Sequence, residues 1–184
     1  MLRVISGKYR SRQLKEVKST STRPTTDKNK EVLFNTLGQY FSGGRMLDLF
    51  SGSGAIAIEA YSRGFQKCDL VENSTEALKT IKTNISSLKI PAEDLMVFKK
   101  DVFAYLAQTA EKYDLIIADP PYKLNRYDEL IDLITSRQLL NDGGIMVLES
   151  DNTYELSEEY LDLRKYKEKI LGNSKFTFYI KEKT

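Results

Sequence analysis

Two apolar patterns alternate along most of the chain. Short continuous apolar runs appear as "RMLDLF" (45–50), "KCDLVE" (67–72), "DLMVFKK" (94–100), "YDLIIA" (113–118) and "GGIMVLES" (143–150). Continuous runs of this length mark strands buried on both faces. Between them lie stretches with helical spacing: "GAIAIEAYSRG" (54–64), "NSTEALKTIKTNISSL" (73–88), "VFAYLAQTAEK" (102–112) and "RYDELIDLITSR" (126–137). Strands separated by helices of this size predict right-handed βαβ crossovers and a parallel sheet with helices on both faces. Asn73 and Glu76 stand in capping-box spacing at the start of the second of these helices. Upstream, "DKNKEVLFNTLGQYF" predicts a helix over 27–41, capped by Thr26 or Asp27, with Val32, Leu33, Thr36, Leu37 and Tyr40 as its stripe. The opening "LRVISGKYRSRQLKEV" reads as a small hairpin around Ser6-Gly7, and "STSTRPTTD" as a loop. The tail breaks the alternation. "LRKYKEKILGNSKFTFYIKEK" has no helical segment and two strand-like runs around Gly172-Asn173, a hairpin signal. It places an antiparallel strand in an otherwise parallel sheet, unlike a plain dinucleotide-binding fold. Two parts are expected: a basic hairpin and loop over 1–26, and an α/β domain over 27–184.

Composition narrows the class. With 184 residues, 41% hydrophobic and 29% charged, the chain has the profile of a soluble globular domain with a substantial core. No run approaches the ~20 apolar residues of a membrane span. The start lacks the apolar segment of a secretory signal. Cys68 is the one cysteine, so no internal disulfide forms, and the expected location is the cytoplasm. It sits in a strand-like run, as a small buried hydrophobe does. There is no histidine, which excludes a histidine base and imidazole metal ligands; no metal is expected. Nothing points to an obligate dimer, so a monomer is expected. The net charge of +2 is unevenly spread. Residues 1–30 carry nine Lys/Arg and two acids, a local +7, leaving −5 for the rest. A basic arm on an acidic body points to an anionic partner, nucleic acid first; the alternative is a solvated terminal face.

The candidate chemistry lies where strands end. In "LDLFSGSGAIAIEA", Asp48 sits in the first strand of the βα series and Ser51-Gly52-Ser53-Gly54 turns into the helix. Glycines let a ligand approach the backbone, and the helix start adds unpaired N–H groups. A third glycine of a dinucleotide fingerprint would fall at 57, where Ala57 stands; alanine is tolerated there. Asp48 discriminates better, because a carboxylate in the loop repels a pyrophosphate and suits a cation. Glu72 ends the second strand, placed for ribose hydroxyls. Asp101 follows the third, placed either for an adenine amino group or as a helix cap. Together these acids describe a site for an adenosine with an amino-acid tail and no phosphates, which S-adenosyl-L-methionine satisfies. The fourth strand breaks at Asp119-Pro120-Pro121-Tyr122. Two prolines delete two donors and fix two φ angles. Alone, such a corner is as well read as a stiff loop.

With these residues in hand, the chain resembles the class I S-adenosylmethionine-dependent methyltransferases, and within them the RsmD-type family, which methylates the 2-amino group of a guanine in 16S ribosomal RNA. "LRVISGKYRSRQL", "TRPTTDKNKEVLFNTL", "LDLFSGSGAIAIEA", "LVEN" and "IIADPPY" carry the resemblance in order and spacing. One departure is Leu171-Gly172, where the family often has Tyr-Gly near the last hairpin. The resemblance implies a Rossmann-like, mostly parallel seven-stranded sheet. It implies a cofactor site of Asp48, Phe50, Ser51, Gly52, Ser53, Gly54, Glu72 and Asp101, with Arg23 and Thr25 lying against cofactor and target. It implies a catalytic corner of Asp119, Pro120, Pro121 and Tyr122. The expected partner is 16S rRNA or a small-subunit assembly intermediate, gripped through phosphates by Arg3, Lys8, Arg10, Arg12, Lys15 and Lys18. Lys123 and Arg126 either steady the target backbone or serve loop solubility. The nearest rival acts on another planar amine, adenine in DNA or RNA or a protein glutamine. A nicotinamide oxidoreductase leaves Asp48 and the corner unexplained. A non-catalytic RNA-binding module would show loss of Asp48, Glu72 or Asp119, and all three are present.

Overall fold

The computed structural model describes residues 1–18 and 25–183. Arg23 therefore lies outside the described residues, as does most of the loop expected after Lys18. Strands β1 (Leu2–Arg3) and β2 (Gln13–Leu14) form the opening hairpin. Helix α1 (Asp27–Leu37) follows. Thr26 is its cap, its hydroxyl accepting from the Asn29 N–H at 3.1 Å. The helix stops before Gly38, short of the expected residue 41, because the backbone there turns to φ 128°.

The βα series is present as read. β3 (Arg45–Leu49), α2 (Ala55–Ser62), β4 (Lys67–Glu72), α3 (Thr75–Ser87), β5 (Leu95–Lys99), α4 (Val102–Gln108), β6 (Tyr113–Ala118), α5 (Tyr127–Ser136) and β7 (Leu140–Asp151) succeed one another. The tail supplies β8 (Glu159–Tyr160), β9 (Leu163–Leu171) and β10 (Ser174–Lys181). The sheet runs β5-β4-β3-β6-β7-β10-β9-β8. β10 enters antiparallel between β7 and β9, as the tail pattern predicts. Among the described residues the sheet has eight strands, not seven; the extra one is the two-residue β8, too short to leave a periodic signal. The expected Asn73–Glu76 box is not the cap of α3. Ser74 caps it, accepting from the Ala77 N–H, while Asn73 donates its N–H to Glu72 Oε1. Helix α4 ends at Gln108, since Thr109 is already extended.

Helices cover both faces, so the sheet divides two cores. On one side Leu33, Phe34, Ile58 and Ile81 pack on Met46, Leu70, Val147, Phe176 and Phe178. On the other Leu106, Leu130 and Ile134 pack on Leu47, Ile116, Leu148 and Tyr179. The hairpin joins the first core through buried Leu2, Val4, Tyr9 and Leu14. It is also pinned by polar groups of α2. Glu59, wholly buried, accepts from the Ile5 N–H at 2.8 Å and the Ser6 N–H at 3.1 Å. It also pairs with Lys30 Nζ at 3.3 Å and Arg63 Nε at 3.0 Å. Two cations and two amides leave this carboxylate well compensated, the condition under which a buried charge is tolerated. Among the described residues, no helix is long and apolar enough to cross a membrane.

Candidate active site

β3 lies between β4 and β6, so crossovers on its two sides run in opposite directions. In an open α/β sheet such a switch point opens a crevice at the strands' carboxyl ends. The register sets Asp48 beside Ile117 and Leu49 beside Ala118. The glycine loop after β3 and the Asp-Pro-Pro-Tyr corner after β6 therefore leave the sheet side by side. Between them a cleft encloses about 460 Å³.

Its floor is Asp48. The side chain is almost fully buried, and its Oδ2 has no hydrogen-bond partner. Burial pushes its pKa up to about 8; the Ala57 backbone N–H opposes the shift and the charge of Glu72 adds to it. The loop is braced by Ser51, whose hydroxyl donates to the Asp48 carbonyl at 2.7 Å and whose N–H reaches the Val71 carbonyl. Phe50, at φ 61°, takes a left-handed backbone that a large side chain rarely adopts, here at the turn out of β3 into the cleft. Gly52 is also left-handed, and a Cβ there would meet no atom within 4 Å, so the backbone stays open on that side. Glu72 closes the loop from the next strand. Its Oε2 accepts from the Gly52 N–H at 2.8 Å and its Oε1 from the N–H groups of Asn73 and Ser74.

The opposite wall is the corner. Asp119 N–H reaches the Leu49 carbonyl at 3.4 Å, tying corner to loop. Pro120 is buried and Pro121 exposed. Tyr122 opens a single 3-10 turn to Leu124, with its ring 46% exposed at the mouth. Thr25, Ser53, Glu16 and Val17 also line the cleft.

Eleven of the expected site residues thus meet here: Asp48, Phe50, Ser51, Gly52, Ser53, Glu72 and Thr25, with Asp119, Pro120, Pro121 and Tyr122 bringing the corner. Gly54 sits just behind, at the start of α2, where a Cβ would press on Leu70 and Ile81. Asp101 is placed elsewhere. It is exposed and caps α4, accepting from the Ala104 N–H at 3.0 Å, and it does not line the cleft. Glu16 and Glu76 do line it, although neither stands out in the sequence as a site residue. Glu76 falls in capping-box spacing with Asn73, and Glu16 is hidden among the cations of the arm. Five carboxylates, Glu16, Asp48, Glu72, Glu76 and Asp119, therefore line the cleft, with no Lys or Arg among the described lining residues. Such a lining repels phosphates and attracts a cation. The orphaned Asp48 oxygen and the open Gly52 backbone fit a cationic amino-acid tail on a nucleoside. Among the described residues, no cluster of three or more His, Cys, Asp or Glu could hold a metal ion.

The basic residues lie outside the cleft. Arg10, Lys15, Lys18 and Lys123 are exposed. Arg3 pairs with Asp27 at 3.2 Å, Lys8 stands 5.4 Å above the Tyr9 ring, and Arg12 donates to the Ser87 carbonyl at 3.0 Å. Arg126 is held by Glu129 through two bonds of 2.7 Å and lies 3.7 Å over the Phe103 ring.

The chain is similar to known proteins along nearly its whole length. The model of the family described as "Conserved hypothetical protein 95" matches residues 2–180. "Putative rRNA methyltransferase YlbH" of Bacillus subtilis (strain 168) is 42% identical over 183 residues, covering 98% of this chain and 99% of that one. "Ribosomal RNA small subunit methyltransferase D" of Escherichia coli (strain K12) is 30% identical over 181 residues, 98% of this chain and 90% of that one. The solved structure of "Putative methyltransferase yhhF from Escherichia coli" superposes with a TM-score of 0.88 at 28% identity, covering 100% of this chain and 99% of that one. A match that spans the hairpin, the glycine loop and the corner alike makes the chain a member of this family, the RsmD-type methyltransferases of the class I fold.

Proposed function

We propose that this protein transfers a methyl group from S-adenosyl-L-methionine to the exocyclic 2-amino group of a guanine in 16S rRNA, presented as RNA or as a small-subunit assembly intermediate. The observation that carries the reading is one cleft with two unlike walls: a buried, partnerless Asp48 oxygen at the glycine loop, and a donor-poor Asp-Pro-Pro-Tyr corner beside it. Bound at the first wall, the cofactor supplies an electrophilic methyl carbon. Asp48 takes its ammonium, Glu72 its ribose hydroxyls, and the backbone of Gly52 gives it close approach.

The second wall handles the amine. A guanine 2-amino lone pair is conjugated with the ring and attacks poorly until the nitrogen pyramidalises. Asp119 Oδ and the Pro120 carbonyl accept its two hydrogens and stabilise the charge that develops there. Proline supplies that acceptor without a competing N–H. Tyr122 stacks on a base drawn out of its helix or loop. As the N–C bond forms and the C–S bond breaks, the surplus proton leaves the nitrogen through Asp119 to solvent. Holding the two groups in line supplies much of the remaining acceleration. The acidic lining admits the base and keeps its phosphates outside, on the basic arm. That arm, with the rRNA methyltransferase names of the relatives, supports RNA guanine over a DNA or protein amine.

Asp119→Ala tests the assignment. The expected result is methyl transfer to rRNA lowered on the order of 10²–10³-fold, with S-adenosylhomocysteine binding kept within about threefold of wild type. Undiminished turnover removes Asp119 from the chemistry.

A further inference from the structure

The inference concerns Asn84, and it rests on the methyltransferase reading above. Asn84 lies inside α3, 1% exposed. Asparagine is a poor choice for a helix interior, and a leucine would pack a core helix better. Its carboxamide is instead fully used. Oδ1 accepts from the Lys15 N–H at 2.8 Å, and Nδ2 donates to the Lys15 carbonyl at 3.0 Å and the Ser53 carbonyl at 3.0 Å. The reverse orientation of the amide would point its oxygen at two carbonyls, so the network fixes which way it faces. The amide pairs with Lys15 as a neighbouring strand would, through both N–H and C=O.

The two segments it joins are the two that form the cleft rim beside α3. Ser53 belongs to the glycine loop. Lys15 leads directly into Glu16 and Val17, which line the cleft, and belongs to the basic arm. We propose that Asn84 is a positioning residue that holds the arm-side wall of the cleft against the glycine loop, so that one side chain sets the cofactor seat and the start of the RNA-gripping surface together. It touches neither reactant. Its loss frees the loop and the arm from each other and leaves part-buried backbone groups of Lys15 and Ser53 without this partner.

The test is Asn84→Ala in the full chain, with S-adenosylhomocysteine as the binding probe and rRNA methylation as the kinetic one. The expected result is a cofactor Kd and an RNA KM each raised about tenfold, the loss of roughly one to two hydrogen bonds, while kcat at saturation falls less than threefold because the corner after β6 is untouched. A lowered melting temperature with Kd and KM unchanged would show a purely structural side chain and overturn the proposal, as would a loss confined to kcat. Should the alanine variant fail to fold, Asn84→Asp keeps the shape and the acceptor for Lys15 N–H but sets a carboxylate against the two carbonyls. Its affinity relative to wild type at the same pH should recover as pH falls, since the protonated acid donates one of the missing bonds; no recovery overturns the proposal. Wild-type protein that fails to bind S-adenosylhomocysteine overturns the methyltransferase reading and this inference together, whereas wild-type binding with unchanged variant binding overturns this inference alone.

Discussion

Asp48 ties electrostatics to ligand choice at the scale of one residue. Burial, above all, pushes the pKa of its carboxyl up to about 8. At neutral pH it is therefore mostly protonated, yet a cationic ammonium needs it ionised. Binding below pH 8 must release a proton, and affinity should rise about tenfold per pH unit from 6 towards 8. Above 8 the gain ends, because the Asp48 carboxyl is by then already ionised. Calorimetry of S-adenosylhomocysteine in two buffers of different ionisation enthalpy reads the released proton directly; no buffer dependence would remove Asp48 from the ammonium site. Stability moves the other way. The folded state holds this proton more tightly than the unfolded chain, so this group costs stability as pH rises from about 4 to 8. Asp48→Asn should melt above wild type at pH 8 and bind cofactor at least tenfold more weakly. Asp48, Glu72 and the Asp-Pro-Pro-Tyr corner were legible because each sits at a strand end in the sequence. Glu16 was not, since the loop that carries it folds back across a distance no local pattern encodes. Asp101 reads equally as a cap or a ligand from sequence, and the structure places it at the cap.

The elements were legible wherever periodicity is long. β4 and β6 match their runs residue for residue, at Lys67–Glu72 and Tyr113–Ala118. Boundaries drifted where capping decides, as with Ser74 in place of Asn73. The docking of the hairpin on α2 left no periodic trace at all. Besides the buried apolar residues of the hairpin, it uses single polar groups: Glu59, and Ser62, whose hydroxyl accepts from the Tyr9 N–H and donates to the Ser6 carbonyl. Gly7 completes the fit. Its φ is 90°, and a Cβ there would come 1.9 Å from the Ser62 carbonyl oxygen. Gly7→Ala should therefore cost about 2–3 kcal/mol, measurable by denaturant titration. Glu59→Gln leaves Lys30 and Arg63 buried with one carboxylate fewer and should cost about 3–5 kcal/mol in the same experiment. Because Leu2, Val4, Tyr9 and Leu14 are core residues, deleting the arm would damage the fold as well as remove its charges.

Charge therefore has to be probed on the whole molecule without removing the arm. The molecule separates its charges: an acidic cleft, and exposed cations on the arm beside it. RNA affinity should fall with salt, with a log–log slope of about −0.7 to −0.9 per phosphate contacted. Replacing Arg10 and Lys15 by alanine should reduce the slope by about 1.5 and weaken binding, leaving the affinity for S-adenosylhomocysteine within about twofold. An unchanged slope would make the arm a solvated face. The parallel half of the sheet could be read from the sequence because strands and helices alternate along it, but its strand order comes from the structure alone. The placement of the tail could be read only in part, because a hairpin signal does not say where the hairpin inserts.

That insertion bears on how the protein is made. β10 is the last of the described strands, but it is not an edge: it lies between β7 and β9 and carries Phe176, Phe178 and Tyr179 into both cores. During vectorial synthesis the strands from β3 to β9 emerge before the piece that joins β9 to β7. Until residues 174–181 clear the exit tunnel, β7 keeps an open apolar edge and β9 has only the two-residue β8 to pair with. Folding of the C-terminal half must therefore wait for β10, and a chain arrested at Asn173 should be cut rapidly by added protease while a chain that includes residues 174–181 resists.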